Sequence, residues 1–213
     1  MSKKAAVVLS GCGVFDGSEI HEAVVALLNL QRRGAEVAFF APDIAFDAVN
    51  HADGTPDGTR SVLAESARIA RGKIAALSML EAGAFDFLVF VGGFGAAKNL
   101  CTFAADGAAC TVNGDVERAV KSFLSLGKKI AFMCIAPVIA ARVISDGVKL
   151  TIGSDAQTSA AIRAMGAEHI DCPADGFVED EKFGVYSTPA YMLAKSAVEI
   201  DAGVGRMFDK MFE

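Results

Sequence analysis

The sequence predicts an α/β fold of the flavodoxin-like sandwich type, in which a mostly parallel sheet lies between layers of helices. Apolar, β-rich runs alternate with helical patterns along the chain. Residues 87–91 are apolar at every position, which is typical of parallel strands that are buried on both faces. With 213 residues, 53% of them hydrophobic, and only 5 prolines, the chain suits one domain spanning residues 1–213.

The predicted elements follow one another in a β/α order. Strands are expected where the chain is apolar and rich in β-formers, at 5–9, 35–40, 85–91, 129–133, 149–152 and 184–187. Helices are expected where the pattern is helical, at 19–33, 60–71, 113–126, 136–145, 155–165 and 190–212. Gly34 ends the first helix, and the second strand begins directly after it. The segments 50–60 and 92–113 are predicted as polar loops.

Composition argues against several classes of partner. The net charge is −6, from 20 basic and 26 acidic residues, and the basic pairs are scattered, so we expect no nucleic acid and no membrane surface as partner. No run of about 18 apolar residues is present to span a bilayer. Five cysteines without metal-type spacing indicate a reducing compartment, and three dispersed histidines predict no metal site.

The first residues bear on localisation. Residues 1–4 enter a strand-like run at once, which leaves no room for a signal or transit peptide. We therefore expect a cytoplasmic protein. The alternative is the mitochondrial matrix, after loss of a presequence that is not in this sequence.

The junction at Cys134 is the strongest functional signal. The apolar strand 129–133 runs straight into this cysteine, and a helical stretch begins at residue 136. A residue at such a junction occupies a tight turn at the carboxyl edge of the sheet, where backbone amides and the helix dipole favour a thiolate. The thiolate is the nucleophilic form of cysteine. The alternative is a buried core cysteine.

The segment 10–22 follows the first strand and reaches the same edge, where open α/β sheets bind their ligands. Its glycines lack the spacing of a nucleotide-binding loop. Asp16 and Glu19 form a capping-box pattern, so Glu19 is interpreted as a helix cap. Glu22 lies one turn further and would point its carboxyl group at Cys134, where burial would keep it protonated for proton exchange. The alternative for Glu22 is a solvated helix face or an ion pair.

Gly92 and Gly93 follow the third predicted strand at this edge. Glycines there let the backbone approach a ligand closely, and their amides can hold a developing oxyanion. The alternative is an ordinary turn at the end of a strand.

Two further residues lie close to the predicted site. Cys12 is interpreted as a packing residue or a redox neighbour, and His21, next to Glu22, is a candidate to touch the site. The remaining cysteines and histidines are interpreted as structural (Cys101, Cys110, Cys172) or as loop and surface residues (His51, His169).

Three segments taken together carry a family resemblance. Residues 11–22, 92–100 and 133–137, in this order, resemble the ThiJ/PfpI superfamily, and within it the ElbB-like, glyoxalase-III-like subgroup. The later stretches 150–153 and 187–192 also resemble that subgroup, so that the resemblance covers nearly the whole chain. It implies a class I glutamine amidotransferase-like fold and a homodimer.

The resemblance also implies roles for single residues. The family's elbow cysteine falls on Cys134, its helix-one glutamate on Glu22, and its oxyanion amides on Gly93 and Ile135. The implied activity converts small 2-oxoaldehydes such as glyoxal and methylglyoxal to 2-hydroxy acids, without a cofactor, through a hemithioacetal on Cys134. The alternative is a non-enzymatic redox-sensing or accessory protein linked to isoprenoid biosynthesis.

At two places the sequence differs from other members of the superfamily, and these differences argue against two other activities. Ile135 follows the cysteine where peptidase-like relatives have histidine. Glutamine amidotransferases add a histidine and a glutamate near the end of the domain, and nothing after His169 supplies that pair. Protease and glutaminase activities are therefore disfavoured.

Overall fold

The computed structural model describes residues 2–213 as an α/β fold. Its strands are β1 (Lys4–Val8), β2 (Glu36–Ala41), β3 (Ala45–Val49), β4 (Pro56–Ser61), β5 (Ile74–Ala76), β6 (Phe87–Phe90), β7 (Lys129–Met133), β8 (Lys149–Leu150), β9 (Glu168–His169), β10 (Val178–Asp180) and β11 (Val185–Thr188). Its helices are α1 (Ile20–Arg32), α2 (Val62–Ile69), α3 (Phe94–Lys98), α4 (Phe103–Asp106), α5 (Gly114–Ser125), α6 (Pro137–Ile144), α7 (Ala156–Ala164) and α8 (Ala197–Phe212).

Seven strands form the central sheet, in the order β10–β11–β7–β6–β1–β2–β5. All neighbours run parallel except β10, which is antiparallel to β11. Val8 lies beside both Phe40 and Phe90, and Phe90 lies beside Phe132. Since these strands end at the same level, the segments that follow β1, β6 and β7 meet at one edge of the sheet. The predicted fold class is confirmed.

The sheet is buried on both faces. Along β1, Ala5, Val7 and Leu9 belong to one hydrophobic core, whereas Ala6 and Val8 belong to the other. Helices α1 and α8 cover the first core, and α5 and α6 cover the second. Two buried faces explain why the strands are apolar at successive positions rather than at alternate ones.

The structure corrects several predicted element boundaries. The segment 50–60 was expected to be a loop, but β4 occupies its second half and pairs with β3. Residues of β4 are polar and exposed, so no apolar pattern marks this hairpin in the sequence. The predicted loop 92–113 contains α3 and α4.

The later elements also differ in detail. The expected strand 149–152 is reduced to β8, which pairs with β9 outside the central sheet. The expected helix 190–212 is interrupted: Ala190–Met192 form a 3₁₀ turn, and α8 begins at Ala197. Among residues 2–213, no helix is both long enough and apolar enough to cross a membrane.

Candidate active site

Cys134 occupies a sharp turn between β7 and α6. Its φ is 58°, in the left-handed region that residues other than glycine rarely adopt, and its N–H donates to the carbonyl of Thr188 at 3.0 Å. This conformation costs on the order of 1–3 kcal/mol and is typical of nucleophiles at strand-to-helix turns. The residue is 8% exposed. The predicted strand-to-helix junction is therefore present, and it leaves a narrow approach to the sulfur.

Two backbone amides face the sulfur. The N–H groups of Gly93 and Ile135 lie close enough to Cys134 Sγ to lower the pKa of the thiol. Gly93 lies in the turn after β6, and Ile135 lies in the turn between β7 and α6. Two neighbouring strands of the sheet therefore supply these donors. Donors in this position would also reach an oxygen on a carbon bonded to the sulfur.

Glu22 is fully buried beside Cys134. Its Oε2 accepts from the N–H of Gly92 at 2.9 Å, and its Oε1 accepts from the N–H of Tyr191 at 3.2 Å. Its side chain also lies beside Cys134, since a Cβ on Gly92 would meet both residues. The alternative interpretation of Glu22, a solvated helix face or an ion pair, is wrong, because the side chain is fully buried and its hydrogen-bond partners are backbone amides.

Gly92 lets the cysteine and the glutamate meet. A Cβ atom on Gly92 would lie 2.4 Å from Cys134 Cβ and 2.5 Å from Glu22 Oε2. Both distances are far below van der Waals contact, so any side chain at this position would separate the two groups. At Gly92 the close approach brings two protein side chains together, and the approach to a ligand stays a prediction.

Burial controls the protonation of the pair. Burial raises the pKa of Glu22 to about 7. Burial and the negative charge of Glu22 together raise the pKa of the Cys134 thiol, although the amides of Gly93 and Ile135 lower it. The sequence-based expectation that the helix terminus favours a thiolate is therefore wrong in net direction, since burial outweighs the amides. Above neutral pH the pair retains one proton, held mainly by the thiol.

Glu19 caps α1, but not through the predicted capping box. Its Oε2 accepts from the N–H of Glu22 at 2.7 Å, which makes Glu19 itself the N-cap residue of α1. Asp16 instead accepts from the N–H of Val49 at 2.7 Å. The box fails because α1 begins at Ile20, three residues later than a helix capped by Asp16 would require. Glu19 thereby fixes the backbone from which Glu22 projects.

His21 and Tyr191 lie together beside Glu22. The Nδ1 atom of His21 and the Tyr191 hydroxyl are 2.8 Å apart, while the Tyr191 N–H donates to Glu22. Ala190, just before this tyrosine, has a φ of 45°. Sequence reasoning included Tyr191 only in the family-like stretch 187–192, because its contact with Glu22 uses a backbone N–H that any residue carries.

The other predicted neighbours lie away from the pair. Cys12 is partly buried, and its charged neighbours are Glu65, Arg68 and Asp16, so its thiol lies toward α2. Burial, with help from Glu65, raises its pKa. His51, predicted in a loop, follows β3 and stacks on Phe15 with 4.9 Å between ring centroids.

The remaining candidates are structural. The prediction of His169 at the surface is wrong: its side chain is buried, and its Nε2 accepts from the N–H of Ile152 at 3.3 Å. It lies in the short strand β9, whose two-residue length leaves no readable pattern. Cys101, Cys110 and Cys172 are buried, and burial raises the pKa of each. Among residues 2–213, no group of three or more His, Cys, Asp or Glu side chains has a metal-binding arrangement.

Comparison with known proteins identifies relatives of similar length. The chain is 47% identical over 222 residues to the rat ES1 protein homolog, mitochondrial, covering 99% of this chain and 83% of the relative. It is also 47% identical to the human glutamine amidotransferase-like class 1 domain-containing protein 3, mitochondrial, over 99% of this chain and 82% of the relative. The zebrafish ES1 protein, mitochondrial, is 37% identical over 88% of this chain and 76% of its own length. No family model matches the sequence.

Solved structures show the same fold. An isoprenoid biosynthesis protein with an amidotransferase-like domain from Ehrlichia chaffeensis superposes with a TM-score of 0.92 and 35% identity, covering 99% of this chain and 98% of its own. Drosophila melanogaster DJ-1beta superposes with a TM-score of 0.55 and 22% identity, over 100% of this chain and 98% of its own. The second likeness shows the fold alone.

Proposed function

The chain belongs to the ES1 family of glutamine amidotransferase-like class 1 domain proteins, and on this basis we propose that Cys134 and Glu22 act together on small 2-oxoaldehydes. The expected amidotransferase-like fold is confirmed. One observation supports the proposed chemistry most directly: a fully buried carboxyl group lies beside a cysteine that two backbone amides also face. This arrangement provides a nucleophile, a proton carrier and an oxyanion site in contact with one another.

The first step adds the thiol across the aldehyde. The Cys134 sulfur forms a bond to the aldehyde carbon, and the thiol proton passes through Glu22 to the carbonyl oxygen, which gives a hemithioacetal. The N–H groups of Gly93 and Ile135 donate to that oxygen while it carries negative charge. A carboxyl group whose pKa is about 7 is present in both protonation states near neutral pH, as a proton carrier requires.

The second step moves a proton between adjacent substrate carbons. The Glu22 carboxylate takes the proton from the carbon bonded to sulfur, which forms an enediol, and returns it to the neighbouring carbon. The product is a thioester of a 2-hydroxy acid. Water cleaves the thioester, releases the acid and restores the thiol. The sum is aldehyde plus water to 2-hydroxy acid, which needs no external oxidant, reductant or cofactor.

A turnover assay tests this function. Purified protein should consume methylglyoxal or glyoxal and form the corresponding 2-hydroxy acid. Cys134→Ser should abolish turnover because it removes the nucleophile, and Glu22→Gln should slow it by roughly 100-fold or more because it removes the proton carrier. Glu19→Gln is the matched control, since its amide oxygen can still cap α1, and it should retain turnover.

Specific outcomes would contradict the proposal. Turnover by Cys134→Ser would require another nucleophile. Loss of activity in Glu19→Gln together with full activity in Glu22→Gln would show that the carboxylates are wrongly assigned. Absence of turnover by the wild-type protein with both aldehydes would overturn the substrate class.

A redox-sensing or accessory role is the second candidate. The amides that face Cys134 Sγ would hold the oxygens of a sulfinic group, and protonated Glu22 would donate to one of them. Oxidation to this stage consumes two molecules of peroxide and releases two of water. Mild peroxide should add two oxygens at Cys134, as measured by peptide mass spectrometry. Oxidation confined to the other four cysteines would exclude this role.

Partners and location follow the same proposal. We propose a small aldehyde as the ligand, with neither nucleic acid nor a membrane as partner. The rat, human and zebrafish relatives are all named mitochondrial. These names agree with the mitochondrial matrix, the alternative to the cytoplasmic location in the sequence-based prediction.

A further inference from the structure

We infer that His21 and Tyr191 form a positioning pair, which ties the segment after β11 to the start of α1 and thereby fixes the Glu22 carboxyl group beside Cys134. This inference rests on the proposed role of the Cys134–Glu22 pair. Neither residue would touch the reacting atoms. Their effect on the chemistry would pass through the position and proton affinity of Glu22.

Tyr191 contacts two successive residues of α1. Its backbone N–H donates to Glu22 Oε1 at 3.2 Å, and its hydroxyl lies 2.8 Å from His21 Nδ1. The two rings are tilted by 50°, with 5.8 Å between their centroids. His21 and Tyr191 are 170 residues apart in sequence, so these bonds join distant parts of the chain at two points.

The segment that carries Tyr191 depends on such contacts. Ala190 has a φ of 45°, a left-handed conformation that alanine disfavours, so neighbours must hold the turn in this form. Thr188, the last residue of β11 and two residues before Ala190, accepts the Cys134 N–H through its carbonyl at 3.0 Å. This stretch of chain therefore contacts both Cys134 and Glu22, and its displacement would affect both residues.

The sign of the effect follows from the hydrogen bond. The Tyr191 N–H stabilises the negative form of Glu22, so a loosened segment leaves the carboxylate less stable. Cys134 and Glu19 are the ionisable groups that face Glu22 from the α6 turn and from α1, and Tyr191 faces it from the 3₁₀ turn. The variants below leave Cys134 and Glu19 in place and remove only the Tyr191 hydroxyl or the His21 imidazole.

Alkylation of Cys134 measures this effect without any substrate. Iodoacetamide reacts with the thiolate, which is present once the Cys134–Glu22 pair has lost its first proton and the remaining proton lies for a fraction of the time on Glu22. The rate of modification, followed by peptide mass spectrometry, should therefore rise with pH as this first proton is lost. Tyr191→Phe removes the hydroxyl, and His21→Ala removes its partner. Each should move the midpoint of the rise upward by about half a pH unit. The double variant should move it no further than either single variant, because both break the same bond.

The other tyrosine of the chain supplies the control. Tyr186→Phe also removes a bonded hydroxyl, which donates to Glu179 at 2.7 Å, and it should leave the midpoint unchanged. An unchanged midpoint in His21→Ala, where an exposed side chain is removed, would overturn the inference even if Tyr191→Phe failed to fold. Additive shifts in the double variant would also overturn it. A shift in a protein that turns over no aldehyde would support the positioning pair and reject the proposed function.

Discussion

At the scale of single residues, Glu22 controls how the stability of the protein depends on pH. Burial raises its pKa from about 4.5 to about 7, so the folded state holds this proton more tightly than the unfolded chain does. Its contribution to stability is complete below the unfolded pKa and is lost as the pH rises through the folded one. The charged form is therefore the destabilising one, and the same property makes Glu22 a proton carrier near neutral pH.

The variant Glu22→Gln should reveal this dependence. Between about pH 4 and about pH 8, the free energy of unfolding of the wild-type protein should fall by about 3 kcal/mol relative to that of Glu22→Gln. Other carboxylates cancel in this difference, since both proteins carry them. Urea denaturation at a series of pH values measures it. A difference that stays constant across this range would mean that the pKa of Glu22 is the same in the folded and the unfolded protein.

The site was only partly predictable at this scale. The reactive position of Cys134 could be predicted because this residue joins an apolar strand to a helix. Glu22 could be predicted with the help of the family resemblance. The direction of the Cys134 pKa shift could not be predicted, because neither the burial of this residue nor the nearby carboxylate is visible in a local pattern. The contribution of Tyr191 was also hidden, since the parallel pairing of β11 with β7 is what brings the segment after β11 to Cys134 and Glu22.

At the scale of elements, the turn after β6 joins the parts of the site. Gly92 donates its N–H to Glu22 Oε2, and its carbonyl accepts from the N–H of Glu19 at 3.0 Å. The next residue, Gly93, directs its N–H at Cys134. One strand end thus positions both the helix that carries the glutamate and the turn that carries the cysteine.

Gly92→Ala should disrupt this arrangement. The added methyl group would overlap Cys134 Cβ and Glu22 Oε2, so we expect a loss of stability of about 1–3 kcal/mol, with aldehyde turnover reduced at least as much as in Glu22→Gln. Gly114→Ala is the control, because a Cβ there meets no atom within 4 Å. Thermal denaturation and the turnover assay measure both effects. Wild-type activity in Gly92→Ala would show that contact between the two side chains is dispensable.

Buried helices and strands were predicted more accurately than exposed ones. The central strands β1, β6 and β7, which are apolar apart from a lysine at the start of β1 and of β7, were located to within two residues at each end. The hairpin of β3 and β4 was missed because β4 is polar and mostly exposed, and β5 because it has only three residues. The elements that position Cys134 and Glu22 are the buried ones, so the site was more predictable than the periphery.

At the scale of the whole molecule, α1 has a second, exposed apolar face. Ile20, Val24 and Leu28 are spaced four residues apart, so they lie in one row along the helix. Their exposed fractions are 42%, 51% and 41%. The opposite face of α1 is buried against the sheet and α8. A continuous apolar row on an otherwise polar surface is typical of an interface between protein molecules.

A second copy of the chain fits this row. Two α1 helices that pack antiparallel about a two-fold axis would place Val24 against its own counterpart and Ile20 against Leu28 of the other copy, so that the row complements itself. The homodimer expected from the family resemblance stays a prediction, and this row is the surface that we expect it to use. Helix dipoles in antiparallel helices also attract each other.

Charge at the centre of the row should prevent dimerisation. Val24→Lys would place two like charges together at the two-fold axis, in contact with apolar side chains, so we expect a monomer where the wild-type protein is a dimer. Met79→Lys is the matched control: Met79 is 72% exposed, lies outside α1, and should leave the dimer intact. Size-exclusion chromatography with light scattering measures the mass of each. A wild-type monomer would reject the dimer, whereas a dimeric Val24→Lys would show that the interface lies elsewhere.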